Sequence, residues 1–144
     1  FFGIDPEKGI PHDMEHVKNL LLKNNIVFCG ALRYAEHQTS DATSAKLATF
    51  FNTSFINLTK VPGLFTSNPL ENKNAKFIPK ISWQKFYEKA NKQKFKPGMH
   101  FVLDPQASKI IKEHKITTYI LGPQLSNLEN LFLGKKFKGT IISG

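Results

Sequence analysis

Three consecutive polar residues, Thr39, Ser40 and Asp41, stand immediately before a stretch that is rich in alanine. Unpaired backbone N–H groups at the amino end of a helix bind phosphate well, together with nearby hydroxyls, because the helix dipole is positive there. The competing interpretation is that one of the three residues simply caps the helix. Spacing by itself favours the cap, and both interpretations stay open at this point.

A second candidate segment spans residues 59–69 and is interrupted by glycine and proline. Phe65 could stack on a flat ring, and Thr59 and Asn68 could hydrogen-bond to one. By composition alone the segment is an ordinary turn-rich connection, in which a phenylalanine more commonly anchors the core. The sequence carries no glycine-rich phosphate loop, paired-carboxylate site, nucleophile elbow or metal-ligand spacing.

The elements that must position these residues alternate along the chain between short apolar runs and helical patterns. Short apolar strands separated by helices are typical of a parallel sheet that is covered on both faces. The chain is therefore predicted to be an α/β three-layer sandwich with a mainly parallel central sheet. The predicted strands are 26–29, 54–58, 117–121 and 140–142, and the predicted helices lie near 12–24, 41–51, 82–94, 105–114 and 126–133.

In an open α/β sheet, ligands bind outside the carboxyl ends of the strands. That rule selects the loops at 30–41 and 59–69, which follow the first two predicted strands and contain the candidate residues. The polar stretch 67–80 is predicted to be an irregular excursion from the sheet.

Length and composition fit one globular domain over residues 1–144, since the chain has 144 residues and 40% of them are hydrophobic. Its apolar runs are far shorter than the ~20 residues of a membrane-spanning helix. Cys29 is the single cysteine, which excludes an internal disulfide. Together with the short apolar runs, this predicts a cytoplasmic protein without membrane attachment. The chain begins at Phe1 rather than at a methionine, which suggests a piece of a longer protein.

The net charge of +9 arises from 20 basic residues, all of them lysine except Arg33. Lysine lacks the planar fork with which arginine reads phosphates and guanine edges, and the lysines are spread from Lys8 to Lys138. We interpret them as solvated surface, so a nucleic acid is not the expected partner.

Four segments in order resemble the motifs of archaeal-type uridylate (UMP) kinases, which belong to the amino acid kinase superfamily. Residues 39–42 resemble the Thr-Thr-Asp-Ala segment of those enzymes, and residues 59–69 resemble their Thr-Asn-Val-Asp-Gly-Val-Tyr loop with its closing Asp-Pro. Residues 101–111 are similar to their Val-Ile-Asp-Pro-Leu-Ala-Ala-Lys-Ile-Ile, and residues 139–142 to their closing Gly-Thr strand. The match corresponds to the carboxyl-terminal part of such an enzyme.

The resemblance implies a nucleotide-binding kinase domain that transfers the gamma-phosphate of ATP to UMP in pyrimidine nucleotide biosynthesis. It implies ATP with Mg²⁺ as co-substrate, UMP as acceptor, and a homo-oligomer, namely a hexamer built from dimers. Asp41 would be the catalytic aspartate that organises phosphate-binding lysines, since phosphoryl transfer depends on positioning and charge neutralisation. The other implied contacts are Thr39 and Ser40 to the phosphate of UMP, and Thr59, Lys60, Phe65 and Asn68 to the adenosine of ATP.

The second loop departs from the family pattern at three positions. Lys60 replaces an asparagine, and Pro62 and Asn68 each replace an aspartate, which makes the loop more positive and removes one backbone N–H donor. The glycine loop and lysine that grip the ATP phosphates in the family are also outside this sequence. The sequence therefore leaves two hypotheses: the nucleotide-binding part of a uridylate kinase, or a catalytically degenerate kinase-fold protein that serves as a binding or assembly subunit.

Overall fold

The structure is a computed structural model that describes residues 10–32, 39–92 and 102–144. The five predicted helices are present within a few residues of their expected positions. The middle of the predicted 30–41 loop and the last residues of the helix predicted at 82–94 lie outside the described ranges. In chain order the elements are α1 (Met14–Leu21), α2 (Ser40–Phe50), β1 (Phe55–Leu58), β2 (Leu64–Phe65), β3 (Phe77–Ile78), β4 (Lys80–Ile81), α3 (Trp83–Lys92), α4 (Pro105–Glu113), β5 (Thr118–Leu121), α5 (Leu125–Phe132) and β6 (Gly139–Ile142).

The central sheet has four strands in the order β1-β5-β6-β4. β1 pairs with β5 in parallel, from Phe55 opposite Thr118 to Leu58 opposite Leu121, and β4 pairs with β6 in parallel. β5 and β6 are antiparallel. The sheet is thus mainly parallel, as predicted, and a separate antiparallel ribbon of β2 and β3 stands beside it.

The core lies between the sheet and the helices α2, α4 and α3, which pack side by side. Small residues of α2 and α4 allow the two helix backbones to approach closely, because alanine and serine side chains fill little space. The buried members of the core include Ala45, Ala48, Ala107, Ile111, Phe86, Ile120 and Ile142. On the opposite face, the Tyr119 ring of β5 meets Phe137 at 6.1 Å between ring centroids.

The prediction of a strand at 26–29 is wrong for this structure. These residues form irregular chain, and Ile26 and Phe28 are 71% and 54% exposed. An apolar run becomes a strand only where a neighbouring strand accepts and donates its backbone hydrogen bonds. Within the described residues β1 pairs only with β5, so nothing there supplies a partner for residues 26–29.

The stretch predicted as an irregular excursion contains short strands that the sequence did not indicate. β3 lies inside it and pairs with β2, and β4 joins the edge of the central sheet beside β6. Within the described ranges, no helix is both long enough and apolar enough to cross a lipid bilayer.

Candidate functional site

The amino end of α2 carries the first group of candidate residues. Thr39 is the N-cap, and its hydroxyl accepts a hydrogen bond from the Ala42 N–H at 3.0 Å. The capping interpretation therefore applies to Thr39. Ser40 and Asp41 are the first two helical residues, where a carboxylate and free N–H groups lie in the positive field of the helix dipole.

A second helix begins at the same place. Asp104 is the N-cap of α4, and its Oδ1 accepts from the Ala107 N–H at 2.9 Å. Its Oδ2 accepts from the Thr39 hydroxyl at 2.6 Å, although the two residues are 65 positions apart in the chain. The amino ends of α2 and α4 therefore converge, and each cap residue contacts the other.

The convergence brings two aspartates together. Burial, and after it the negative charge of Asp104, raise the pKa of the Asp41 carboxyl above its usual value. A hydrogen bond from the backbone N–H of Asp104 opposes this shift in part. Two acids beside two positive helix ends can hold cations in place, while the hydroxyls and N–H groups remain suited to an anion.

Sequence reasoning treated Asp104 only as a helix start and missed its contact with the first loop. The Asp-Pro pair after an apolar run was a usable signal, because that position resembles the carboxyl end of a strand followed by a helix. What could not be read from the sequence is that α4 begins against α2, since that depends on how the two helices pack.

An open cleft of about 570 Å³ lies at the carboxyl ends of β1 and β5. Its walls are mostly apolar, and Lys60 is exposed beside it. A cleft of this shape suits a flat ring that carries negative charge at one end. The lining residues are Leu58, Thr59, Lys60, Val61, Leu70, Val102 and Pro123.

Two of the predicted adenosine contacts lie elsewhere in the same loop. The Phe65 ring, in β2, packs edge-to-face against Phe77 of β3 at 5.4 Å between centroids, and Phe65 does not line the cleft. The Asn68 side chain accepts from the Leu70 N–H at 3.1 Å and so stabilises a turn. The structure thus brings Thr59 and Lys60 to the cleft and gives the other two residues contacts within the loop.

The loop that forms the cleft is tied to the sheet by a buried hydroxyl. Thr140 of β6 accepts from the Leu64 N–H at 2.8 Å and donates to the Ile78 carbonyl at 2.6 Å. Beside it, Gly63 has φ +151°, and a Cβ there would lie 2.7 Å from the Thr140 hydroxyl. Lys89 of α3 also contacts this loop, since its ammonium donates to the Thr66 carbonyl at 2.9 Å. Burial lowers the pKa of the Lys89 ammonium.

A model of the amino acid kinase family matches residues 4–122, which is most of the sequence. The chain belongs to the amino acid kinase family. Among curated relatives, the chain is 32% identical over 139 residues to the uridylate kinase of Archaeoglobus fulgidus. It is 40% identical over 85 residues to that of Pyrococcus abyssi. The resemblance to archaeal uridylate kinases that the four motifs carry is thereby confirmed.

The fold of the chain also agrees with solved structures. It superimposes on the crystal structure of the Archaeoglobus fulgidus uridylate kinase with a TM-score of 0.80 and 31% identity, over 94% of this chain and 60% of that one. The UMP kinase of Bacillus anthracis shares the fold, with a TM-score of 0.72 at 22% identity, over 92% of this chain and 52% of that one.

The chain spans only part of the length of the curated relatives that it matches. The match takes in 94% of the chain but 61% of the Archaeoglobus fulgidus relative, and 58% of the chain but 38% of the Pyrococcus abyssi relative. Both relatives carry the name of an enzyme, so the comparisons lend no support to the alternative of a degenerate subunit.

Proposed function

We propose that the full-length protein carrying this chain is a UMP kinase, which transfers the gamma-phosphate of ATP to UMP and releases UDP and ADP. The observation that carries the proposal is the meeting of the amino ends of α2 and α4 at Thr39, Asp41 and Asp104. Two helix dipoles directed at one point favour the phosphate groups of both substrates. The names of the similar proteins supply the identity of the acceptor.

The acceptor phosphate is proposed to bind at Thr39 and Ser40. The hydroxyl proton of Thr39 is already donated to Asp104, so Thr39 contributes to phosphate binding chiefly by holding the helix end in place. Ser40 is exposed at the first helical position, where its hydroxyl and backbone N–H can be offered to an anion.

Asp41 is proposed to hold the cations that neutralise the transferring phosphoryl group. Charge in this reaction spreads over the phosphoryl oxygens, so catalysis depends on positioned positive groups rather than on a covalent nucleophile. The two carboxylates also fit the Mg²⁺ that accompanies ATP, because magnesium usually takes one or two carboxylates together with phosphates and water. That ion would neutralise phosphate charge when it is bound.

The ATP base is proposed to occupy the cleft beside Thr59 and Lys60. Its apolar walls suit the ring, and the ammonium of Lys60 favours the negative phosphate chain. Phe65 and Asn68 then act on ATP through the shape of the loop, by their contacts with Phe77 and Leu70. A calorimetric titration with ATP and Mg²⁺ would detect this effect as weaker binding in Phe65→Ala.

The proposal is tested by UMP-dependent release of ADP from the full-length protein. Asp41→Asn should lower turnover on the order of 10²-fold while the protein still folds, because positioning and electrostatics are lost without loss of volume. Asp13→Asn is the matched control. Asp13 caps α1 by accepting from the His16 N–H at 2.8 Å, and asparagine caps about as well.

Equal turnover in wild type and Asp41→Asn would remove Asp41 from the machinery. Absence of UMP-dependent ADP release in the wild type would reject the proposed reaction itself. We also propose a cytoplasmic homo-oligomer, a hexamer by resemblance, for which light scattering of the full-length protein is the direct measurement.

A further inference from the structure

We propose that Asn57 is a positioning residue for this reaction. It fixes the segment that leads to Asp104 relative to the end of β1, which lies at the cleft. The inference rests on the proposed function, because it assigns a residue to that same site. Asn57 is not itself among the residues that line the cleft, and it takes no part in the hydrogen bonds of Asp104 with Thr39 and Ala107. It acts through the backbone segment that carries Asp104.

Asn57 occupies a position where an apolar residue would be expected. Side chains alternate between the two faces of a strand, so Asn57 of β1 shares the face of Phe55, which packs against the hydrophobic core. Its side chain is half-buried. An amide placed there destabilises the fold unless it is hydrogen-bonded, so its presence calls for a specific partner.

The partner is a backbone carbonyl 45 residues away. The Asn57 Nδ2 donates to the Val102 carbonyl oxygen at 2.6 Å. Val102 is two residues before Asp104, and the intervening Leu103 is buried in the core at 1% exposure. The position of Asp104 is therefore set on one side by this hydrogen bond and on the other by its own contacts with Thr39 and Ala107.

The same hydrogen bond reaches the other half of the site. Leu58 and Thr59, which follow Asn57 directly, line the cleft proposed for the ATP base, and Val102 lines it from the opposite segment. One side chain thus joins the strand that ends at the cleft to the segment that leads into the aspartate pair. Because phosphoryl transfer is sensitive to displacements of about 1 Å, this link should affect the rate of reaction more than substrate binding.

The test compares Asn57→Leu and Asn57→Asp with a control, Trp83→Phe, in the full-length protein. Leucine and aspartate have the same number of side-chain heavy atoms as asparagine, branched in the same way, but provide no N–H donor. The Trp83 indole N–H donates to the Ile116 carbonyl at 2.9 Å, so the control loses the same kind of side-chain-to-backbone bond away from the cleft, before the start of β5. Thermal melts accompany the kinetics of UMP-dependent ADP release.

We expect kcat to fall by about 10- to 100-fold in both Asn57 variants, with KM for UMP and for ATP changed less than about 3-fold. Trp83→Phe should lose comparable thermal stability and keep the wild-type kcat. That contrast separates positioning from a general loss of stability, because a general loss would lower the activity of the Asn57 variants and of Trp83→Phe alike.

Other outcomes overturn the inference. An unchanged kcat in the Asn57 variants would do so while leaving the proposed function intact, as would a raised KM at constant kcat. If neither Asn57 variant folds while Trp83→Phe does, the role of Asn57 is structural. If the wild type itself releases no ADP with UMP, the proposed function and this inference fail together.

Discussion

Replacing Thr140 with valine would remove a buried hydroxyl that joins the β2–β3 ribbon to β6. Thr140 is fully buried, accepts from the Leu64 N–H at 2.8 Å and donates to the Ile78 carbonyl at 2.6 Å. Valine has nearly the same shape, so the substitution leaves no cavity. Its effect is confined to the two hydrogen bonds.

The expected cost follows from the groups left behind. A buried polar group without a partner costs about 1–3 kcal/mol, and Thr140→Val creates two. The Leu64 N–H loses the acceptor to which it donates, whereas the Ile78 carbonyl has two lone pairs and can accept from another donor. We therefore expect the free energy of unfolding to fall by about 2–4 kcal/mol, with the effect centred on the β2–β3 ribbon.

Thr118→Val is the matched control. Thr118 is equally buried, but its hydroxyl donates to the Ile116 carbonyl at 3.2 Å, and that carbonyl also accepts from the Trp83 indole N–H. No buried group loses its last partner, so the loss in unfolding free energy should stay below about 1 kcal/mol.

Urea unfolding gives the global effect, and amide hydrogen exchange at Leu64 gives the local one. If the ribbon detaches before the sheet unfolds, a local loss of about 2 kcal/mol accelerates exchange at Leu64 about 30-fold. Equal unfolding free energies for the Thr140 and Thr118 variants, together with unchanged exchange at Leu64, would refute the reasoning.

Two further predictions concern stability. Because the pKa of Asp41 is raised, the folded chain holds that proton more tightly than the unfolded chain, so wild-type stability declines as pH rises above the usual aspartate value of about 4. Asp41→Asn should therefore raise the unfolding free energy at neutral pH, and this gain should shrink in urea titrations toward pH ~4; a pH-independent difference would contradict it. Gly63→Ala should cost more than about 1 kcal/mol, because φ is +151° and the new Cβ would lie 2.7 Å from Thr140 and 2.8 Å from Phe77. Gly30→Ala, with nothing within 4 Å, should melt within a degree or two of wild type, and equal melting of the two variants would reject the steric argument.

Local sequence was sufficient to predict the helices and the longer strands. A helix satisfies its backbone hydrogen bonds within one segment, so its start and periodicity are written in neighbouring residues. Asp104-Pro105 predicted the start of α4, and the Asp104 side chain does cap it. Residues 39–42 likewise predicted a polar helix start, where Thr39 is the cap.

The short strands and the aspartate pair depended on segments that are far apart in the chain. β2, β3 and β4 are two residues long, and each exists through hydrogen bonds to another strand. Residues 26–29 have a strand-like composition but lack such a partner among the described residues. Asp41 meets Asp104 because α2 packs against α4, and the pattern of either helix is the same whether or not they meet. Strand pairing and helix packing are long-range interactions, and for that reason they were decided by the folded chain as a whole.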